Sequence, residues 1–562
     1  MAGSFVWRAL EVEGVYALRR PRLRPCGPGT RYSFFFDLID RVFPKRWGNN
    51  KPLHRACSLA RKMGVTHLTI ESLVPNAEIT EEKHALSLRV HHNVQTWATR
   101  ISFFRLDSGH WDAISSEAYL GYAVLLKHSL PKRKVCVHIL ESVMRSPTLF
   151  IPNAKGQTTP VSVGNYYPHC TRRFASTVGT ATDHENLEID GSFFCQQNRI
   201  THVCAHAALR IAINSSPALA IPRKLTNEDI NHALGIDHKD TVLNGGLDSQ
   251  EIQQVLQTLG LTSHHADFRA NLRTSYASFV YPFVDSRLPL ILGIEAQDVQ
   301  HVVAVLGHTL NSDRWAAEAK QGYGCYPISP YIPSVSWADH FLINDDNFGM
   351  HITLPAEMVQ NLIVPRLNPN LHAAMAIGVV PSGTSLFGWL AEESAAGLAF
   401  DVLAKTKPMP ANRWLVHLRD LILKARKTLK QSRPPISTIV CRTLLRARGD
   451  YLAALEGVVD SNGNSLQMGE RQFLHEWLPE WFWVTEITLP NLYMANKRKL
   501  GDVISRVDAT REEVLGRESI PFLWLPGIAL WYSGGWNDEQ WSLSGHVPLL
   551  RAGNVEAPLL EW

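Results

Sequence analysis

Along the chain, apolar residues recur at two spacings, and the order in which these spacings follow one another divides it into three regions. Residues 1–178 read as a mixed, strand-rich region. ALSLRV (85–90) and TRISFFRL (99–106) have the β-branched and aromatic character of sheet segments. YLGYAVLLKH (119–128) and VCVHIL (135–140) predict two strands joined by the polar turn SLPKRK. KPLHRACSLARKMG (51–64) instead places apolar residues at helical spacing and ends on glycine, which predicts a helix.

Residues 179–358 are easier to parse. AHAALRIAIN (205–214) predicts an apolar helix that Cys204 opens. In LDSQEIQQVLQTLG (247–260), Asp248 can cap a second helix, with Glu251 three residues on and Gly260 closing it. SYASFVYPFV (275–284) predicts a third helix, bent or shortened at Pro282. LPLILGI, HVVAVLGHT and HFLIND follow as three short apolar runs bounded by turn residues, the pattern of buried strands. A helix group followed by a sheet, without βαβ alternation, predicts an α+β fold.

Residues 359–562 read as helical and then as Trp-rich β structure. RWLVHLRDLILKARKTLK (413–430) aligns Leu415, Leu418, Ile422, Ala425 and Leu429 along one helix face. SRPPIS then divides the basic stretch 413–448 into two helical pieces. The tryptophan-rich WLPEWFWVTEITL reads as strand, with its tryptophans in a core.

Composition narrows the classes. A chain of 562 residues exceeds one ordinary core, and 45% hydrophobic with 19% charged residues describes a folded protein. The net charge of +4 implies no obligatory anionic partner. Within 413–448, ten Lys or Arg face the single acid Asp420. That stretch reads first as a solvated helix face, with contact to nucleic acid or an acidic protein as the weaker alternative. Cysteines at 26, 57, 136, 170, 195, 204, 325 and 441 form no regular framework, which predicts free thiols in a reducing compartment. The N-terminus lacks the pattern of a secretory signal, and no apolar run approaches the roughly 20 residues that span a bilayer. The expectation is a cytoplasmic protein without a membrane span.

The candidate chemistry centres on QQNRITHVCAHAAL (196–209). A cysteine at a helix N-terminus has its thiolate favoured by the helix dipole. A nucleophilic thiol needs a base, and the base needs a third group that orients it. His301 begins the run HVVAVLGHT, and Asp345 and Asp346 follow HFLIN. Adjacent antiparallel strands would set His301 beside one of the two acids. Gln197, or its neighbour Gln196, can donate to an oxyanion beside the Cys204 N–H. Each residue also has a plainer reading: a buried inert thiol, a satisfied core histidine, a polar turn, a loop-bonding amide. Zinc held by His202 and His206, which on a continuous helix would share a face that Cys204 points away from, is a further alternative, with HHAD (264–267) as a source of a third ligand. No acid stands between the two histidines as in a metallohydrolase helix, so no metal and no cofactor are expected. His202 then reads as a loop residue and His206 as a surface residue of the helix.

In order and local context, QQNRITHVCAHAAL, RLPLILGIEAQDVQHVVAVLGHT and FLINDDNFG resemble papain-like cysteine peptidases. The resemblance is closest to the bacterial branch that includes the leader peptidases of bacteriocin transporters. It covers about a third of the chain, 190–355. It implies a papain-like core at 179–358, a helix bearing the cysteine packed on an antiparallel sheet, between flanking regions 1–178 and 359–562. It further implies catalytic roles for Cys204, His301, Asp345 and Gln197. The chain departs from the pattern with Val203 where a small residue is usual, Asn198 where the glutamine usually stands, and Asp346 where proline is common. The implied activity is hydrolysis of a peptide or isopeptide bond in a peptide or protein substrate. An acyltransferase or transglutaminase-like reaction on the same residues, and an inactive peptidase scaffold used for binding or assembly, are the two alternatives.

Overall fold

The computed structural model describes residues 16–26, 50–146, 148–152, 158–162, 166–219, 221, 223–236, 246–270, 275–296, 299–310, 331–356, 371–405, 413–430, 439–455, 468–490, 492–493, 499–515, 519–525 and 528–531. The fold is α+β, built on three main sheets in which nearly every described strand pair is antiparallel.

The first sheet contains β1 (Arg24–Pro25), β2 (His67–Ser72), β3 (Gln95–Phe104), β4 (Tyr119–Leu130), β5 (Lys134–Arg145), β6 (Arg172–Thr180) and β7 (Asp183–Phe194). Their spatial order is β1-β2-β3-β4-β5-β7-β6. Helices α1 (Lys51–Lys62) and α2 (Ala77–Val90) accompany it. Asn50 caps α1 by accepting from the Leu53 N–H, with Pro52 in the first turn, where its missing donor costs nothing. ALSLRV proves to be the end of α2 and not a strand. Its buried residues, Ile79, Glu82, Ala85 and Leu86, follow helical spacing, which a six-residue window is too short to separate from alternation.

The central sheet contains β8 (Thr262–Asp267), β9 (Leu290–Ala296), β10 (Val299–Thr309), β11 (His340–Asp345), β12 (Gly349–Pro355) and β13 (Leu371–Val380), in the order β8-β13-β9-β10-β11-β12. Helix α3 (Cys204–Ser215) lies against both β10 and β7, so it bridges the first and central sheets. One continuous apolar core runs through both sheets and includes Leu209, Ile213, Val143 and Val303. Sheet edges do not follow the compositional segments. β6 and β7 pair with each other across residue 179, and β13 inserts between β8 and β9 although it lies beyond 358.

The third sheet runs through Val440–Ala447, Trp481–Thr488, Gly501–Arg506, Phe522–Leu525 and Ile528–Trp531. The helix Arg413–Lys430 forms as its periodicity predicts, while SRPPIS falls outside the described residues. The segment beyond it is first a strand, not a second helical piece: CRTLLRA is buried on both faces. Seven of the eight cysteines are described and all seven are free; Cys325 lies outside the described residues. Among the described residues, no helix is long and apolar enough to cross a membrane.

Candidate functional site

The chain leaves β7 through QQN, and each amide has a different task. Gln196 extends the sheet edge. Its N–H donates to the Ile139 carbonyl at 2.8 Å, and its Oε1 accepts from Ile139 N–H at 3.2 Å and Asn50 Nδ2 at 3.0 Å. Asn198 turns the chain, accepting from the N–H groups of Ile200 and Thr201 at 2.8 and 2.9 Å. These contacts tie Gln196 and Asn198 into the fold through their accepting oxygens, while Gln197 is half-buried and its backbone N–H is directed at the Asp346 carboxylate.

Cys204 is the first residue of α3 and is half-buried. Val203 precedes it in extended conformation and supplies no side-chain cap, and no acid lies in the first turn. The first-turn N–H groups and the positive end of the helix dipole therefore meet the thiol without a competing anion from α3.

His301 is the third residue of β10, not the first as its sequence context suggested. α3 packs across β10, and the thiol of Cys204 lies within hydrogen-bonding reach of the His301 imidazole. Nε2 of the ring is 3.2 Å from Asp345 Oδ1, 3.6 Å from Asp346 Oδ1 and 3.4 Å from Asn347 Nδ2. Side-chain exposure falls from 17% at His301 to 8% at Asp345 and 1% at Asp346, so the carboxylates back the ring from the protein side.

Asp345 ends β11, the antiparallel neighbour of β10. Its Oδ1 also accepts from the N–H groups of Asn347 at 2.8 Å and Phe348 at 3.3 Å, which fixes both the turn and the carboxylate. Gly349 closes that turn at φ +116°, and a Cβ there would meet Arg55 Cβ at 2.7 Å and Pro52 Cα at 3.2 Å. Arg55, from α1, donates to the carbonyls of Met350 at 2.9 Å and His351 at 2.5 Å, holding the hairpin from outside.

Charge follows this geometry. Burial pushes the His301 pKa down, but the hydrogen bonds to Asp345 and Cys204 and the two nearby carboxylates outweigh it, and the ring is raised to about 10. Asp346 is raised to about 6 by its burial and by the Asp345 charge, against the pull of His301, Arg199 and the Gln197 N–H. Because folding raises the His301 pKa, its contribution to stability is complete below about 6.5, the ordinary imidazole value, and disappears as pH rises through about 10. Melting temperature is expected to fall more between pH 8 and pH 10.5 in the wild type than in His301→Gln; equal falls would contradict the charged pair.

The sequence reading weighed Asp346 only as the alternative to Asp345, but Asp346 stands as a second carboxylate behind the ring. That reading missed two participants. Asn347 reaches His301 and accepts from Arg199, a residue at φ +59° in the loop before Cys204. Asn347 lies in FLINDDNFG and Arg199 in QQNRITHVCAHAAL, so both had a positional signal but no chemical one.

Three described groups have metal-ligating atoms close together: Glu82–His128–His138, His169–Asp285–His308 and His301–Asp345–Asp346. In the second, the Arg442 guanidinium already pairs with Asp285. In the third, His301 is shared by a thiol and a carboxylate. The zinc set weighed at HVCAH is not assembled. His206 is fully buried, not on the surface, with Nε2 at 3.1 Å from Asn231 Oδ1. His202 is also buried, and its Nε2 lies 3.1 Å from Glu82 Oε1. His264 of HHAD pairs with the Thr384 carbonyl at 3.0 Å. In the basic stretch, Arg442 is wholly buried and is not part of a solvated face.

No protein-family model matches the chain, and no curated protein sequence matches it.

Proposed function

We propose that the protein is a cysteine peptidase-like hydrolase with a papain-like core, cleaving a peptide or isopeptide bond through an acyl-enzyme. The observation that carries this reading is the position of His301, with the Cys204 thiol within reach of its ring and Asp345 at 3.2 Å from Nε2. Engagement of Nε2 by the carboxylate leaves Nδ1 to serve the sulfur. Cys204 Sγ attacks the substrate carbonyl. The resulting oxyanion accepts from the Cys204 N–H and the Gln197 side chain. The imidazolium then protonates the departing amine as the C–N bond breaks, leaving a thioester on Cys204. Water, deprotonated by the same ring, hydrolyses the thioester and releases the acid. Asp345 keeps the ring oriented throughout. An inactive scaffold has less support, because it does not account for a thiol, an imidazole and a carboxylate held in sequence at a bare helix terminus. Passage of the acyl group to an amine acceptor uses the same first half-reaction.

The test is covalent trapping. A peptidyl electrophile such as a vinyl sulfone is expected to form a single adduct, mapped by mass spectrometry to the peptide containing Cys204. An adduct confined to other cysteines would overturn the reading. The two carboxylates are separated by substitution: Asp345→Asn is expected to slow adduct formation by ~10²-fold or more, and Asp346→Asn by clearly less. The reverse order would transfer the orienting role to Asp346.

A further inference from the structure

Away from Cys204 and His301, a second group of buried side chains converges where α2, β4, β5 and the segment preceding α3 meet. His128 of β4 and His138 of β5 lie on one face of the first sheet, with ring centroids 5.3 Å apart and planes 20° from parallel. Glu82 of α2 reaches that face. Its Oε1 is 3.3 Å from His138 Nε2 and 3.1 Å from His202 Nε2. Asn198 Nδ2 donates to the same oxygen at 2.6 Å.

The orientation of two of these rings, His128 and His202, is fixed by their other nitrogens. Thr96 sits directly across from His128 in the strand register, and its Oγ1 is 2.9 Å from His128 Nδ1. That contact turns His128 Nε2 inward. The residue is 0% exposed, and this nitrogen has no hydrogen-bond partner. A buried polar atom left this way costs on the order of 1–3 kcal/mol, so hydrogen bonding within the cluster does not account for its arrangement. His202 is held in the same manner, with Nδ1 at 3.0 Å from Thr201 Oγ1.

We infer that Glu82, His128, His138 and His202 form a binding site for one divalent transition-metal ion, zinc by the chemistry of its donors. Three imidazoles and one carboxylate are a zinc ligand set, and a ligating histidine usually donates its far N–H to an oxygen acceptor, the position that the Thr96 and Thr201 hydroxyls occupy here. Metal–ligand bonds of about 2.0–2.1 Å set neighbouring donors of a tetrahedron roughly 3.3 Å apart. The spacings of 3.3 and 3.1 Å from Glu82 to His138 and His202 are already of that size. The ligand atoms of Glu82, His128 and His138 lie within 4.8 Å of one another, and His202 joins them through its 3.1 Å contact with Glu82, so inward movement of both His128 and His202 completes the shell. With four protein donors the ion is structural. It fastens the segment that ends at Cys204, two residues beyond His202, onto the first sheet. The assignment is independent of the proposed peptidase chemistry.

The full chain, stripped with a chelator, supplied with zinc sulfate and gel-filtered, is expected to retain about one equivalent of zinc by elemental analysis and to melt several degrees higher than the stripped protein. His301→Ala, which dismantles the His301–Asp345–Asp346 group, should retain the same amount, and His128→Gln should lose it together with the thermal gain. Retention well below one equivalent by the wild type, or undiminished retention by His128→Gln, overturns the site. X-ray absorption on zinc-loaded wild type keeps the test independent of how the variant folds. Only nitrogen and oxygen neighbours near about 2.0–2.1 Å are expected, whereas sulfur at about 2.3 Å would place the ion on cysteine and refute the assignment.

Discussion

Cys204→Ala is expected to abolish adduct formation with a peptidyl electrophile and to lower any acyl-transfer turnover by ~10⁴-fold or more, the scale on which loss of a nucleophile acts in triad enzymes. The fold should survive, because the half-buried sulfur is replaced by a residue that suits the first turn of an alanine-rich helix. Unchanged circular dichroism and melting temperature would separate lost chemistry from lost structure. His301→Ala complements this test by leaving the sulfur in place. Without its imidazole partner, Cys204 should react with the electrophile ~10²–10⁴-fold more slowly, the range assigned to a positioned base. A His301→Ala protein that labels at the wild-type rate would show that the ring does not assist the thiol, and the proposed mechanism would fail even if Cys204 remained the labelled residue.

The second large effect lies in the core. Arg442 enters the interior from the third sheet and donates to both oxygens of Asp285, Nε to Oδ2 at 2.7 Å and Nη2 to Oδ1 at 3.0 Å, while Nη1 meets Glu486 at 3.2 Å. His169 and His308 stand 3.7 and 3.6 Å from the same Asp285 oxygen. Burial alone would raise the Asp285 pKa, but the guanidinium outweighs it and holds the carboxyl well below the usual range. Arg442→Met strands buried Asp285 without its guanidinium and leaves Glu486 only Lys499, at 3.2 Å, and a loss of about 3–5 kcal/mol is expected in denaturant unfolding. Removing the acids as well, in Asp285→Leu/Glu486→Leu/Arg442→Met, should recover much of that loss, because buried ion groups replaced by apolar side chains are often near neutral. If the single substitution costs less than about 1 kcal/mol, the network is not the tie between the third sheet and the core that its burial implies.

Much of the candidate site was legible because its elements announce themselves locally. AHAALRIAIN is too uniformly apolar to be anything but a buried helix or strand, and its length and alanine content favour helix. The runs after residue 288 are short and apolar, so pairing HVVAVLGHT with HFLIND as antiparallel neighbours placed His301 near the aspartates. What was not legible depended on non-local partners. Gln196 and Gln197 are equivalent in sequence, and only the Ile139 and Asn50 contacts of the former separate them. Arg442 reads as part of a basic surface until Asp285 and Glu486, distant in sequence, are seen around it. ALSLRV satisfied an alternating pattern over six residues while belonging to a fourteen-residue helix. β13 was hidden for a related reason: its position between β8 and β9 is set by pairing, which composition does not encode.

The grip of Arg55 on the Met350 and His351 carbonyls limits how far the molecule can be trimmed. Expression of the stretch 179–358 by itself would delete the guanidinium that steadies the hairpin, the Asn50 amide behind Gln196 and the strand Leu371–Val380 from the middle of its sheet. An excised fragment of that kind would keep Cys204, His301 and Asp345 yet lose the scaffolding that registers them, so a minimal unit that preserves the site must be cut from the whole fold and not from the motif-bearing third.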